Sequence, residues 1–87
     1  MTKNEWKKKQ QELIQLKLCV CYLCGRLIEK NSELSLDHIV PRSRGGEDVP
    51  ENWGASHRAC NWVKGALTYQ EFIRWRILER RRNGGQK

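Results

Sequence analysis

The chain contains no long apolar run, no internal repeat and no linker. No stretch of its 87 residues approaches the length of apolar sequence that crosses a bilayer, so a helical membrane span is excluded. No secretory leader is expected either, since Lys7-Lys8-Lys9-Gln10-Gln11 is far too polar for an apolar h-region. A reducing, cytoplasmic setting is therefore expected, in which Cys19, Cys21, Cys24 and Cys60 stay as thiols or hold a metal rather than form disulfides. With neither repeat nor linker, residues 1–87 are expected to form one domain. The chain is also short of core. A sequence of this length buries too little apolar area to be securely stable alone, so a staple is expected.

Positive charge is abundant, with a formal net charge of +7. Residues 1–18 carry +3, residues 19–68 are neutral, and residues 69–87 carry +4. A polyanion laid across the middle of the chain would meet basic arms on both sides, although solvated helix faces explain the same pattern equally well.

Thr2-x-x-Glu5 is a capping box and predicts a helix running to about Leu18, with Trp6, Leu13, Ile14, Leu16 and Leu18 as its apolar residues. Cys19 to Gly25 reads as a turn. The alternation from Leu34 to Val40 predicts a strand that Pro41 ends. Arg42 to Asp48 is rich in turn formers and reads as a loop. A second strand is expected near Asn52 to Ser56 and a short helix from Arg58 to about Val63. Thr68-x-x-Glu71 is a second capping box. It opens a C-terminal helix carrying Phe72, Ile73, Trp75, Ile77 and Leu78, which Asn83-Gly84-Gly85 should end.

Tetrahedral zinc takes four thiolate or imidazole ligands, often from two tight turns. Cys21-x-x-Cys24 and His57-x-x-Cys60 have that spacing. A Cys-x-x-Cys pair alone is also found as a redox pair, but no thioredoxin-like strand–helix–strand context surrounds this one. Cys19 is left over, because Cys19-x-Cys21 makes an awkward chelate. A second group contains oxygen and imidazole donors. Asp37 and His38 are neighbours on a predicted strand and should point to opposite faces. That geometry suits a carboxylate facing a divalent ion and an imidazole facing water. Taken singly, a histidine here is more often structural, Asn52 reads as a turn residue and Asn61 as a helix cap.

Order and spacing make these fragments one pattern. Asp37-His38-Ile39-Val40-Pro41-x-Ser43-x-Gly45-Gly46, then Asn52-Trp53, then Cys60-Asn61-x-x-Lys64-Gly65 resembles the HNH endonucleases of the His-Me finger (ββα-metal) superfamily. The likeness spans about residues 19–66 and is closest to the zinc-bound branch, which includes small free-standing phage and mobile-element proteins. There are two departures. Ser56-His57 stands where the branch has Leu-Cys, and Trp53 stands where an aliphatic residue is usual.

The resemblance implies an α+β fold: a zinc-stapled ββα-metal core, about 19–66, with basic helical arms at 2–18 and 68–82. It implies a metal-dependent endonuclease acting on double-stranded DNA and leaving 5′-phosphate and 3′-hydroxyl ends. His38 would be the general base, since an imidazole with an ordinary pKa of about 6.5 works near neutrality. Asp37 and Asn61 would hold Mg²⁺ or Mn²⁺, and Asn52 would tie down the loop and orient the backbone at His38. Cys21, Cys24, His57 and Cys60 would hold structural Zn²⁺. Arg42, Arg44 and Lys64 become candidate phosphate contacts, with Arg80, Arg81 and Arg82 adding affinity from the C-terminal arm. Arg42 and Arg44 pair equally well with Glu47 and Asp48. A monomer or weak dimer in a bacterial or phage-infected cell is the implied setting. Two other roles fit parts of the pattern: a non-catalytic zinc module that binds DNA, and an accessory subunit of a phage packaging or mobile-element machine.

Overall fold

The computed structural model describes residues 1–84, with side chains through Arg81. Helix α1 spans Lys3–Gln15. It starts as the capping box predicts: Glu5 N–H donates to Thr2 Oγ1 at 3.1 Å and Thr2 N–H to Glu5 Oε1 at 2.9 Å. It ends earlier than expected. Lys17 adopts a left-handed conformation with φ 58°. Leu18 N–H then reaches Leu13 O at 2.8 Å and Lys17 N–H reaches Ile14 O at 3.0 Å, a Schellman stop without the usual glycine. Because the chain turns there, Leu16 and Leu18 are exposed, while Trp6 and Ile14 are buried.

The cysteine turn is a small hairpin, closed by a bridge between Val20 and Leu27 and by Gly25 N–H donating to Cys21 O at 2.9 Å. Strands β1 (Leu34–His38) and β2 (Trp53–His57) pair antiparallel, with Leu34 opposite His57, Asp37 opposite Gly54 and His38 opposite Trp53. β1 ends two residues before the predicted limit, because Ile39 N–H and Val40 N–H bond to Asn52 rather than to a strand partner. Helix α2 (Arg58–Lys64) follows β2 directly, and helix α3 (Tyr69–Gly84) opens at the second capping box, Thr68 with Glu71. The predicted stop at Gly85 lies outside the described residues.

Trp6, Ile14, Leu23, Ile28, Leu34, Trp53 and Phe72 join Cys19 and Cys21 in one buried cluster. Trp53 takes a core place, edge-on to Trp6 at 6.3 Å. α3 is attached less fully than its sequence suggests. Phe72 is buried, but Trp75, Ile77 and Leu78 are exposed, and Arg76 anchors the helix by donating to Leu23 O at 2.7 Å. No helix among the described residues is long and apolar enough to cross a membrane.

Candidate functional site

The ligand atoms of Cys21, Cys24, His57 and Cys60 all lie within 4.8 Å of one another. The hairpin supplies two of them; the end of β2 and the first turn of α2 supply the others. His57 Nδ1 faces the thiols, 3.4 Å from Cys24 Sγ and 3.8 Å from Cys60 Sγ. Its other nitrogen, Nε2, lies 3.0 Å from Leu27 O. A carbonyl can only accept, so the proton sits on Nε2 and Nδ1 keeps a lone pair for a metal, the usual support of a ligating histidine. Burial acts to raise the Cys21 thiol, but N–H donors from His57, Cys24 and Leu23 outweigh it and bring it to about 7. Burial, with the Cys21 charge next, pushes Cys60 up to about 12. A cation bound among these donors would relieve that cost, and this soft, tetradentate set fits zinc. Cys19 stays out of the cluster. It is buried, with its thiol 3.6 Å from Gln10 Oε1.

The second site forms where β1 ends. Ser35 and Asp37 are two residues apart on the face that meets α2, and His38 faces the other way. Asn61 on α2 joins the first face by donating to Ser35 Oγ at 2.8 Å. Asp37 is buried, and its Oδ2 accepts from the Tyr22 hydroxyl and lies 3.2 Å from Lys64 Nζ. Burial, followed by this hydrogen bond, raises the Tyr22 hydroxyl, so it remains a donor. Gly54 opposite Asp37 makes room for the ring: a Cβ there would come within 2.6 Å of Tyr22.

Lys64 is therefore not an exposed phosphate contact. Only 1% of it is accessible, and its ammonium also donates to His38 O at 3.2 Å, which ties α2 to the end of β1. Removing one member of a buried ion pair typically costs about 3–5 kcal/mol. Lys64→Met is expected to lose stability on that scale in urea denaturation with zinc content held constant. Lys64→Met combined with Asp37→Leu should recover a large part of it, because no charge is then stranded.

His38 Nε2 lies 3.0 Å from Asp48 Oδ1, and the same carboxylate accepts from Trp53 Nε1 at 2.9 Å and pairs with Lys3 at 2.9 Å. Lys3, then His38 and Trp53, hold Asp48 well below the usual carboxylate range. The sequence left Arg42 and Arg44 open, either as phosphate contacts or as partners of Glu47 and Asp48. The partners of Asp48 come from α1, β1 and β2, and Arg44 reaches Glu71 at the start of α3. Tyr22 and Ser35 were missed too. Their only sequence signal is that Tyr22 lies between two metal-type cysteines and that Ser35 keeps strand parity with Asp37.

Asn52 closes the loop. Its side chain accepts from Val40 N–H at 2.9 Å and donates to Val40 O at 3.0 Å and Glu47 O at 2.9 Å, and its carbonyl accepts from Ile39 N–H at 2.9 Å. Gly46 allows the tight path, since a Cβ there would overlap Val40 O at 1.8 Å. Arg42, Arg44, Arg80 and Arg81 are exposed. The Arg82 side chain lies outside the described residues.

The family model for HNH endonuclease matches residues 21–67, more than half of the chain. The chain belongs to the HNH endonuclease family. The match begins at the first residue of the zinc-type cluster and ends just beyond α2, so it contains both sites of this HNH chain. Neither a curated protein nor a solved structure matches it.

Proposed function

We propose that this HNH chain is a metal-dependent DNA endonuclease with His38 as its general base. The observation that carries the reading is the His38–Asp48 contact at 3.0 Å, at the end of the strand that also carries Asp37. Asp48 is kept ionised by its neighbours and accepts from Nε2–H, which leaves Nδ1 to take a proton from water. The imidazolium that results is stabilised by the same carboxylate. Lys64 holds the carbonyl of His38 and Asn52 holds the two residues that follow it, so the ring has a fixed origin.

Asp37 and Asn61 would hold the catalytic ion. The donors are a carboxylate, a carboxamide and the Ser35 hydroxyl bonded to it, a hard-oxygen set suited to Mg²⁺ or Mn²⁺. Lys64 and Tyr22 both use Oδ2 of Asp37, so Oδ1 is the oxygen to offer the ion. When bound, it supplies charge stabilisation at the phosphoryl group and the leaving oxygen. Zinc at Cys21, Cys24, His57 and Cys60 is structural and carries no chemistry. Arg42 and Arg44 on the loop, and Arg80 and Arg81 on α3, supply sequence-independent affinity for DNA.

The direct test is conversion of supercoiled plasmid to nicked circles by the pure protein, in parallel lanes with chelator, Mg²⁺, Mn²⁺ and Zn²⁺. Nicking with Mg²⁺ or Mn²⁺ alone is expected. DNA binding without nicking under any ion would replace the enzyme with a non-catalytic zinc module. Asn61→Ala should abolish nicking while elemental analysis still finds about one zinc per chain, because a carboxamide is not a zinc ligand in this cluster. Asn61→His should restore part of the activity with Mn²⁺, which accepts imidazole. Loss of zinc together with activity in Asn61→Ala would merge the two sites into one.

A further inference from the structure

Trp62 follows Asn61 on α2, at the first of the two unspecified positions of Asn61-x-x-Lys64, and it is 87% exposed. No other large apolar side chain among the described residues is so open; Leu16 follows at 66%. Burying an aromatic side chain gives a large hydrophobic gain, so leaving this one in water discards what the buried Trp6 and Trp53 provide to the core. The fold does not need it. Its position is also not arbitrary. Trp62 lines an open cavity of about 440 Å³ together with Ser35, Arg58, Asn61 and Gly65. Ser35 and Asn61 belong to the oxygen-donor face beside Asp37. Arg58 is braced at the rim, its Nε donating to Ser32 O at 2.8 Å.

We infer that Trp62 is a stacking platform for one unpaired nucleobase next to the cleaved phosphate, with Arg58 on the adjoining phosphate. An indole plane stacks on any base and tolerates sequence, while a guanidinium recognises phosphate with several N–H donors. A base inside a duplex has both faces covered by its neighbours, so stacking on Trp62 requires a base that is unpaired or turned out of the helix. The substrate class is therefore DNA with an unpaired nucleotide at the site, such as a bulge, flap or single-stranded segment. This rests on the nuclease reading for what lies beside the base, and it is tested by binding alone.

The measurement is anisotropy of labelled oligonucleotides titrated with the full chain, with no Mg²⁺ or Mn²⁺ added, so that failure to cleave does not enter. Three probes are compared: a perfect duplex, the same duplex with a one-nucleotide bulge, and that bulge made abasic. The bulge should bind more tightly than the duplex, and the abasic form should lose the gain. Trp62→Ala should weaken bulge binding about 5- to 150-fold and leave the duplex nearly unchanged. Trp62→Phe should keep most of the preference, since it keeps a stacking plane. On bulge binding the wild type should show quenched tryptophan emission, and Trp62→Phe should lose most of that change. Thermal unfolding should be unaltered in both variants, because the side chain is exposed. Equal loss on all three probes would make Trp62 a general contact. No loss on any of them, or a dimer that Trp62→Ala dissociates in sedimentation, would overturn the proposal.

Discussion

Cys60→Ser is expected to unfold the protein. Cys60 supplies one of four ligand atoms that lie within 4.8 Å of one another, and the other three come from the hairpin and the end of β2. Apart from this junction, the elements hold to one another weakly. The two strands are five residues each, α2 has seven residues, and the buried apolar cluster is small. Structural zinc sites of this kind contribute apparent binding free energies of about 10–16 kcal/mol in small peptides at neutral pH, and that energy is folding energy when the apo chain has no preformed site. Net stability of whole domains is only about 5–15 kcal/mol, so loss of the ion outweighs everything else in a chain of this size. Circular dichroism of Cys60→Ser, or of wild type stripped by a strong chelator, should show collapse of the fold, and returning Zn²⁺ should rescue only the stripped wild type. A folded, zinc-free Cys60→Ser would remove the staple from the account. Cys19→Ser is the matched control, since that thiol lies outside the cluster; it should retain about one zinc per chain.

His38→Ala is expected to lower cleavage by about 10²–10⁴-fold, the usual contribution of a positioned general base, with DNA affinity nearly unchanged. The fold should survive. The side chain is partly exposed, and losing its contact with Asp48 leaves that carboxylate still paired with Lys3 and Trp53. Supercoiled-plasmid kinetics at saturating DNA, with zinc content and thermal unfolding measured on the same sample, separate chemistry from stability. Retained cleavage would end the assignment of His38 as base. Asp37→Ala is a poorer probe of the ion site, although as a sequence position it looks equivalent to Asn61. It strands the Lys64 ammonium in the interior, so activity and stability would fall together.

The elements were legible because their signals are local. The two capping boxes place the starts of α1 and α3 through side chains three residues apart, and alternation places β1. The zinc-type cluster was legible because chelate spacing constrains which residues can meet: two x-x pairs from two turns converge on one point. The lower edge of α1 was not legible. A left-handed lysine ended it where no glycine or proline marked a stop. The packing of the apolar residues of α3 was not legible for a related reason. Which of them pack depends on how far the core extends, and it stops at Phe72 and Ile73.

Sequence alone determined that this small basic chain has an HNH-type order of Asp-His, Asn and Asn, and that it carries two donor sets of different softness, because residue type and spacing are properties of the sequence. Tertiary structure decided which charges meet. Lys64 looked like a surface cation until α2 packed its stem against the strands and placed its ammonium on Asp37 and the His38 carbonyl. Asp48 looked like a loop carboxylate until α1 brought Lys3, and β1 and β2 brought His38 and Trp53, to the same two oxygens. Opposite charges attract whatever their sequence separation, so their pairing follows from which surfaces burial brings together, and that is settled only when the helices dock.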